Sequence, residues 1–139
     1  MGISKAADYA ILTVAYLSST GKEGESGLRS KTDISQQLKL PVEFLSQILQ
    51  KLARAGILAS KRGVQGGYHL QVSPGNVTLL DVIEAIDGKR NLVECLSVDF
   101  KGCERLSICQ SVMEKMTIVQ NKIDDVLNSV NFADMAILN

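Results

Sequence analysis

The chain has 139 residues, 45% hydrophobic and 22% charged, with fifteen basic and fifteen acidic side chains. That composition excludes a disordered chain and suits one domain, or one domain with an appended helix. At this length roughly two thirds of the unfolded surface can be buried, so the core needs neither a disulfide nor a metal.

Zero net charge argues against an indiscriminate polyanion binder, but the charge is unevenly placed. Residues 28–62 carry seven basic side chains (Arg29, Lys31, Lys39, Lys51, Arg54, Lys61, Arg62) against the two acids Asp33 and Glu43, whereas residues 93–139 carry four basic side chains against seven acids. A basic front half and an acidic rear half predict one face for phosphates and another turned away from them. No stretch approaches the ~18 apolar residues of a bilayer span. The apolar run 9–17 has the length of a signal-peptide core, but Asp8 abuts it and no small-residue cleavage site follows. It reads as a buried helix in a cytoplasmic protein with no membrane association. Three cysteines, an odd number, fit a reducing compartment better than a disulfide framework.

Residues 4–19 predict a first helix, with Ala7, Ala10, Ile11, Val14, Ala15, Leu17 and Ser18 on its apolar side. A loop with three glycines follows over 20–27. A short second helix is expected from Thr32 as N-cap, turning Ile34 and Leu38 inward. Leu40-Pro41 marks a turn, with proline in the first turn of a third helix where its missing N–H costs nothing. Leu45, Ile48, Leu49 and Leu52 repeat at helical spacing before a stop at Gly56. Residues 57–62 and 68–72 read as two strands around the glycine-rich tip 63–67, a β-hairpin with basic residues at its bend. After the Pro74-Gly75-Asn76 turn, Thr78-Leu79-Leu80-Asp81 opens a capped helix that ends at Asp87-Gly88. Residues 88–105 show no clean period. From 106 to 130, Val112, Met113, Met116, Val119, Ile123, Val126, Leu127 and Val130 trace a stripe along a helix of about 37 Å. That is too long for a small subunit to cover alone, so the helix is expected to pair with a second copy and make a two-fold reader of a palindromic site.

Two helices joined by a short turn and followed by a basic-tipped hairpin have the order of a winged helix-turn-helix. The fold class expected is therefore mainly α with a small β-hairpin: a DNA-binding domain over 1–76, then a helix, a cysteine-bearing loop and a long C-terminal dimerisation helix over 77–139. With the apolar positions of the third helix turned inward, Glu43, Ser46, Gln47, Gln50, Lys51 and Arg54 face outward. Glutamine can pair bidentately with adenine edges, and a lysine or arginine can hold phosphate or guanine. Lys61 and Arg62 bring charge to the wing, whose glycines let backbone approach a groove closely. The expected DNA-binding residues are Ser46, Gln47, Gln50, Lys51, Lys61 and Arg62. An amphipathic helix beside a plain surface hairpin would share the pattern; the basic outward residues favour double-stranded DNA.

Cys95, Cys103 and Cys109 stand in the spacing C-x7-C-x5-C within the least regular segment. Thiolates are soft ligands suited to zinc or iron–sulfur clusters. Zinc normally takes four closed ligands, often as C-x2-C pairs, and neither such a pair nor a nearby histidine is present. Spacing alone leaves open whether these are ligands or core thiols. A nucleophilic-cysteine enzyme would need a positioned base, and the one histidine, His69, sits on the wing, so no enzyme is expected.

The wing segment Arg62-Gly63-Val64-Gln65-Gly66-Gly67-Tyr68-His69-Leu70, the helix Phe44-Leu45-Ser46-Gln47-Ile48-Leu49 ending at Ala55-Gly56, the three-cysteine loop and the opening Ile3-Ser4-Lys5-Ala6-Ala7-Asp8-Tyr9-Ala10 together resemble the iron–sulfur cluster regulator family. That family includes the IscR, NsrR and RirA types and the cluster-free CymR branch. The resemblance covers nearly the whole chain. It implies a winged-helix homodimer paired through the long helix, with a [2Fe-2S] or [4Fe-4S] cluster on Cys95, Cys103 and Cys109 whose state controls operator affinity. The IscR type has a histidine three residues beyond its last cysteine; Val112 stands there and cannot ligate. The NsrR type uses an aspartate of the first helix, reaching across from the partner subunit, and Asp8 occupies the matching place. The resemblance thus implies Asp8 as fourth ligand. The other branch implies a cluster-free repressor governed by a protein partner or by thiol oxidation.

Overall fold

The computed structural model describes residues 2–20, 27–97, 100–102 and 104–135. Cys103 and most of the glycine-rich loop expected over 20–27 lie outside them. Five helices and one hairpin follow the predicted order: α1 (Lys5–Thr20), α2 (Lys31–Leu38), α3 (Val42–Arg54), β1 (Leu58–Lys61), β2 (Gly67–Leu70), α4 (Leu79–Asp87) and α5 (Leu106–Asn128), with short 3-10 turns at Pro74–Asn76, Glu94–Leu96 and Phe132–Asp134.

Ser4 opens α1, its hydroxyl accepting from the Ala7 N–H at 3.0 Å. Ala7, Ala10, Val14 and Leu17 then form a buried ridge at three-and-four spacing, and the two alanines let α1 lie close against α4. The start of α2 departs from expectation. Its N-cap is Ser30, which accepts from Asp33 N–H at 3.1 Å, and Thr32 is already helical and exposed. The cause is tertiary: Arg29 is held extended by a two-way backbone bridge to Tyr68, with N···O distances of 2.9 and 2.7 Å, so the helix begins directly after it. The tight turn into α3 passes through Lys39 in the left-handed region (φ 56°). Ser35 secures it by donating from its hydroxyl to the Leu40 carbonyl at 2.6 Å.

Leu45, Ile48, Leu49 and Leu52 of α3 are all buried, as their spacing predicts. The helix ends in a Schellman motif: Gly56 takes φ 78°, its N–H donates to the Ala53 carbonyl at 3.0 Å, and Ile57 N–H reaches the Leu52 carbonyl at 3.1 Å. β1 and β2 pair antiparallel, with Leu58 opposite Leu70 and Lys61 opposite Gly67. Together α2, α3 and the hairpin make the winged helix-turn-helix. Thr78 and Asp81 form the expected capping box of α4, and Gly88 closes its C-terminus at φ 72°.

One hydrophobic core serves both expected segments. Val77, Val82, Ile86 and Phe132 pack with the ridges of α1 and α3. The chain beyond α5 returns to it through a bridge of Asn131 with Thr78, flanked by Leu79 N–H to the Val130 carbonyl (3.0 Å) and Phe132 N–H to the Val77 carbonyl (3.2 Å). The stripe on α5 divides in two. Met113, Met116, Ile123 and Leu127 are half-buried around the buried Gln120, whereas Val112, Val119, Val126 and Val130 are exposed, as is Ile108.

Candidate nucleic-acid interface and thiol site

On α3, Gln47, Gln50, Lys51 and Arg54 are exposed and Ser46 is half-exposed. The Ser46 hydroxyl donates to the Val42 carbonyl of its own helix at 3.1 Å, which leaves its oxygen free to accept. No other described residue bonds the side chains of Gln47 and Gln50, so their amides face solvent. Lys51 is different: its ammonium lies 3.4 Å from the carbonyl of Ile86, in the last turn of α4. A cation there meets the negative end of a helix. The wing tip carries Lys61 and Arg62, both exposed. Its bend is so tight that a Cβ on Gly66 would stand 2.1 Å from the Lys61 carbonyl oxygen. His69 lies on β2 facing Ala59, and its Nδ1 is buried with no hydrogen-bond partner among the described residues.

Two of the three cysteines can be located. Cys95 lies in the 3-10 turn Glu94–Leu96 and Cys109 in the first turn of α5; both are half-buried and neither is in a disulfide. Cys103 lies outside the described residues, and among those described no three metal-ligating side chains converge. The residues that flank the cysteines, Glu94, Ser97, Phe100, Lys101, Gly102, Glu104 and Arg105, line a cavity of about 640 Å³. Its lining balances the cations Lys101 and Arg105 with the acids Glu94 and Glu104. The donor set, three thiols within fifteen residues of sequence, is chemically fit for an iron–sulfur cluster. Asp8 lies exposed in the first turn of α1. Ser4 performs the capping there, and no described residue bonds the Asp8 carboxylate. Val112, three residues beyond Cys109, is 57% exposed.

Several positioning residues escaped sequence reasoning. Gln120 interrupts the α5 stripe and is 8% exposed. Its carbonyl oxygen accepts from Leu92 N–H at 2.7 Å and its amide donates to Asp124 at 3.0 Å, pinning the start of the cysteine segment to α5. The available signal was a polar residue at core spacing between Met116 and Ile123. Ser4 and Asp87 join the first and fourth helices across 83 positions of sequence, and no local pattern marks such a pair.

The model of the family Rrf2, described as iron-dependent transcriptional regulator, matches residues 3–137. The chain belongs to the Rrf2 family. Among Rrf2 relatives, IscR of Vibrio campbellii is 30% identical over 108 residues, covering 74% of this chain and 60% of IscR. The chain thus spans about three fifths of the length of that relative. CymR of Bacillus subtilis is 29% identical over 136 residues, covering 98% of this chain and 90% of CymR. Its solved structure superposes with a TM-score of 0.69 over 98% of this chain and 96% of that one, at 25% identity. The structure of T. potens IscR superposes at 0.67 with 30% identity, over 97% of this chain and 85% of the other. These relatives are transcriptional regulators, not enzymes. Among the described residues no helix is long and apolar enough to cross a membrane.

Proposed function

We propose that the chain is a cytoplasmic, homodimeric transcriptional regulator that binds a palindromic double-stranded DNA operator with an affinity set by an iron–sulfur cluster, [2Fe-2S] or [4Fe-4S]. In this reading residues 1–76 read DNA, through Ser46, Gln47, Gln50, Lys51, Lys61 and Arg62, and residues 77–139 sense and pair. Cys95, Cys103 and Cys109 hold the cluster, and Asp8 of a second copy supplies the fourth ligand. The observation that carries the reading is the donor set itself. Three thiols lie within fifteen residues of sequence, chain neighbours of Cys95 line a cavity of about 640 Å³, and an exposed first-helix carboxylate has no partner among the described residues. A bound cluster supplies iron open to reaction with nitric oxide or oxygen, or subject to loss when cluster supply fails. This chain's own residues hold it, tie the cysteine segment to α5 through Gln120, and present the glutamines of α3 to DNA. Operator affinity measured anaerobically with the cluster bound and after its removal tests the reading. Different dissociation constants are expected, and identical ones contradict it.

A second reading keeps DNA binding and drops the cluster: a repressor controlled by a protein partner or by oxidation of its thiols. Its supporting observation is the match to CymR, over 98% of this chain and 90% of CymR. The two readings differ in colour, since anaerobically purified cluster protein is brown and the alternative is colourless.

A further inference from the structure

The last turn of α4 is where three parts of the molecule meet through side chains. The Asp87 carboxylate, 15% exposed, accepts from the Ser4 N–H at 3.3 Å, from the Ser4 hydroxyl, and from Arg90 Nη1 at 3.3 Å. Ser4 is the cap of α1, whose first turn carries Asp8. Arg90 opens the segment that runs past Leu92, held by Gln120, to Cys95. One residue before Asp87, the Ile86 carbonyl accepts from Lys51 of the recognition helix. Cysteine segment, first helix and DNA-reading helix are thus all fastened to two consecutive residues.

We propose that Asp87 is the positioning residue that couples the cysteine segment to the recognition helix, and that it acts by setting whether Lys51 is held by α4 or released to a DNA phosphate. This rests on the sensor reading above. The hydrophobic anchorage of α4 comes from Val82, Ile83 and Ile86 and its N-terminus from the Thr78–Asp81 box. Asp87 adds little to either, since its bonds run to α1 and to the cysteine segment. A 3.4 Å bond to a helix-end carbonyl is weak, and a phosphate oxygen is a stronger partner for an ammonium group. A small displacement of the α4 terminus, imposed through Arg90 or Ser4, therefore shifts Lys51 between two partners. Each phosphate neutralised by a lysine changes the slope of log affinity against log salt by about 0.9. The two sensor states of the wild type should then differ in salt slope by about one phosphate, beyond any difference in affinity.

The test is fluorescence anisotropy of operator binding over a salt series, using the full chain with its cluster reconstituted and the same chain stripped of it. Wild type, Asp87→Asn and Arg90→Gln are compared. Wild type should show affinities that differ by about 5- to 150-fold between states, the usual range of allosteric coupling, and slopes that differ by about one phosphate. Asp87→Asn should keep the cluster absorption and the dimer, yet the affinity ratio should fall toward one and the two slopes should merge. Arg90→Gln should do the same in part. In the stripped protein, which needs no cluster for its readout, Asp87→Asn should change the salt slope, and Lys51→Met should abolish that change. A folded, cluster-bearing Asp87→Asn with the wild-type ratio and slopes overturns the proposal. If Asp87→Asn does not fold, Ser4→Ala and Arg90→Gln decide it by the same criterion. A wild type whose two forms bind alike overturns the sensor reading instead, and the coupling with it.

Discussion

The ring of Tyr9 meets that of Phe44 edge to face, with centroids 5.5 Å apart and planes at 85°. Tyr9 follows Asp8 on α1, and Phe44 lies in the first turn of α3, so one aromatic contact joins the neighbourhood of the proposed fourth ligand to the start of the recognition helix. Such pairs contribute about 0.5–1.5 kcal/mol beyond their buried area. Phe44→Leu should therefore destabilise the fold by about 1–2 kcal/mol, read from urea denaturation. Operator affinity should fall as well, because α3 loses its lateral support.

The wing is fixed to the body at Gly67, where a Cβ would stand 2.3 Å from the Arg29 carbonyl oxygen and 2.9 Å from the Ser30 nitrogen. These are backbone atoms that cannot give way without breaking the Arg29–Tyr68 bridge. Gly67→Ala should cost about 1–3 kcal/mol of stability, the usual range for an overpacked site. It should also weaken operator binding by displacing Lys61 and Arg62. Gly63, with nothing near its would-be Cβ but φ at 116°, is expected to tolerate asparagine better than a β-branched residue.

Much of this fold can be read from local pattern. The buried side of α3, its glycine stop, the hairpin and the Thr78–Asp81 box depend on residues within one or two turns of each other, and the structure bears them out. Features set by distant partners were not legible. Ser30 and Thr32 both carry hydroxyls that can cap a helix, and the bridge to Tyr68, 38 positions beyond Ser30, favours the first. The α5 stripe is continuous in sequence, and the positions of α4 and of the segment after it separate the residues this chain covers from those it leaves exposed. Lys51 reads as an outward cation on the helix surface, yet its ammonium is turned to α4. The outward positions of α3 proposed to meet DNA were visible from the pattern of its buried side. The cysteines were visible as residue types, but spacing without a fourth donor named no metal.

In the proposed reading, DNA recognition divides between the wing and α3. Arg62→Ala should weaken binding to all sequences and reduce the salt slope by about one phosphate. Gln47→Ala should instead alter base preference, at a cost of about 1–3 kcal/mol on the preferred operator. Gel shifts on operator and scrambled DNA at several salt concentrations separate the two effects. Wild-type behaviour in both variants would mean that DNA is read elsewhere.

A seam of coiled-coil spacing runs along α5 and just past its end. Cys109, Val112, Met116, Val119, Ile123, Val126 and Val130 alternate in steps of three and four, the four valines exposed and the other three half-buried. Ile123 also lines a cleft against α4, so a charge there would disturb folding together with pairing. Val119, 44% exposed, is the cleaner probe. Val119→Glu should leave the helical content intact and yield monomers in sedimentation at micromolar concentration. Operator affinity should fall by on the order of a hundredfold or more, since two half-sites no longer act together. A wild-type chain that is itself monomeric contradicts the paired arrangement.

The Mössbauer spectrum of iron-57-enriched protein, purified without oxygen, tests the central claim most directly. The account predicts the doublets of a cluster, one cluster per subunit, absent from Cys95→Ala, Cys103→Ala and Cys109→Ala. In Asp8→Ala the spectrum should persist with altered parameters or a more labile cluster, because a carboxylate oxygen is a weaker partner for iron than a thiolate. An unaltered and equally stable spectrum in Asp8→Ala would assign the fourth site to another group. Wild-type protein that carries no iron, while all three cysteines titrate as free thiols, would contradict the cluster and leave the partner- or thiol-controlled repressor as the reading to pursue.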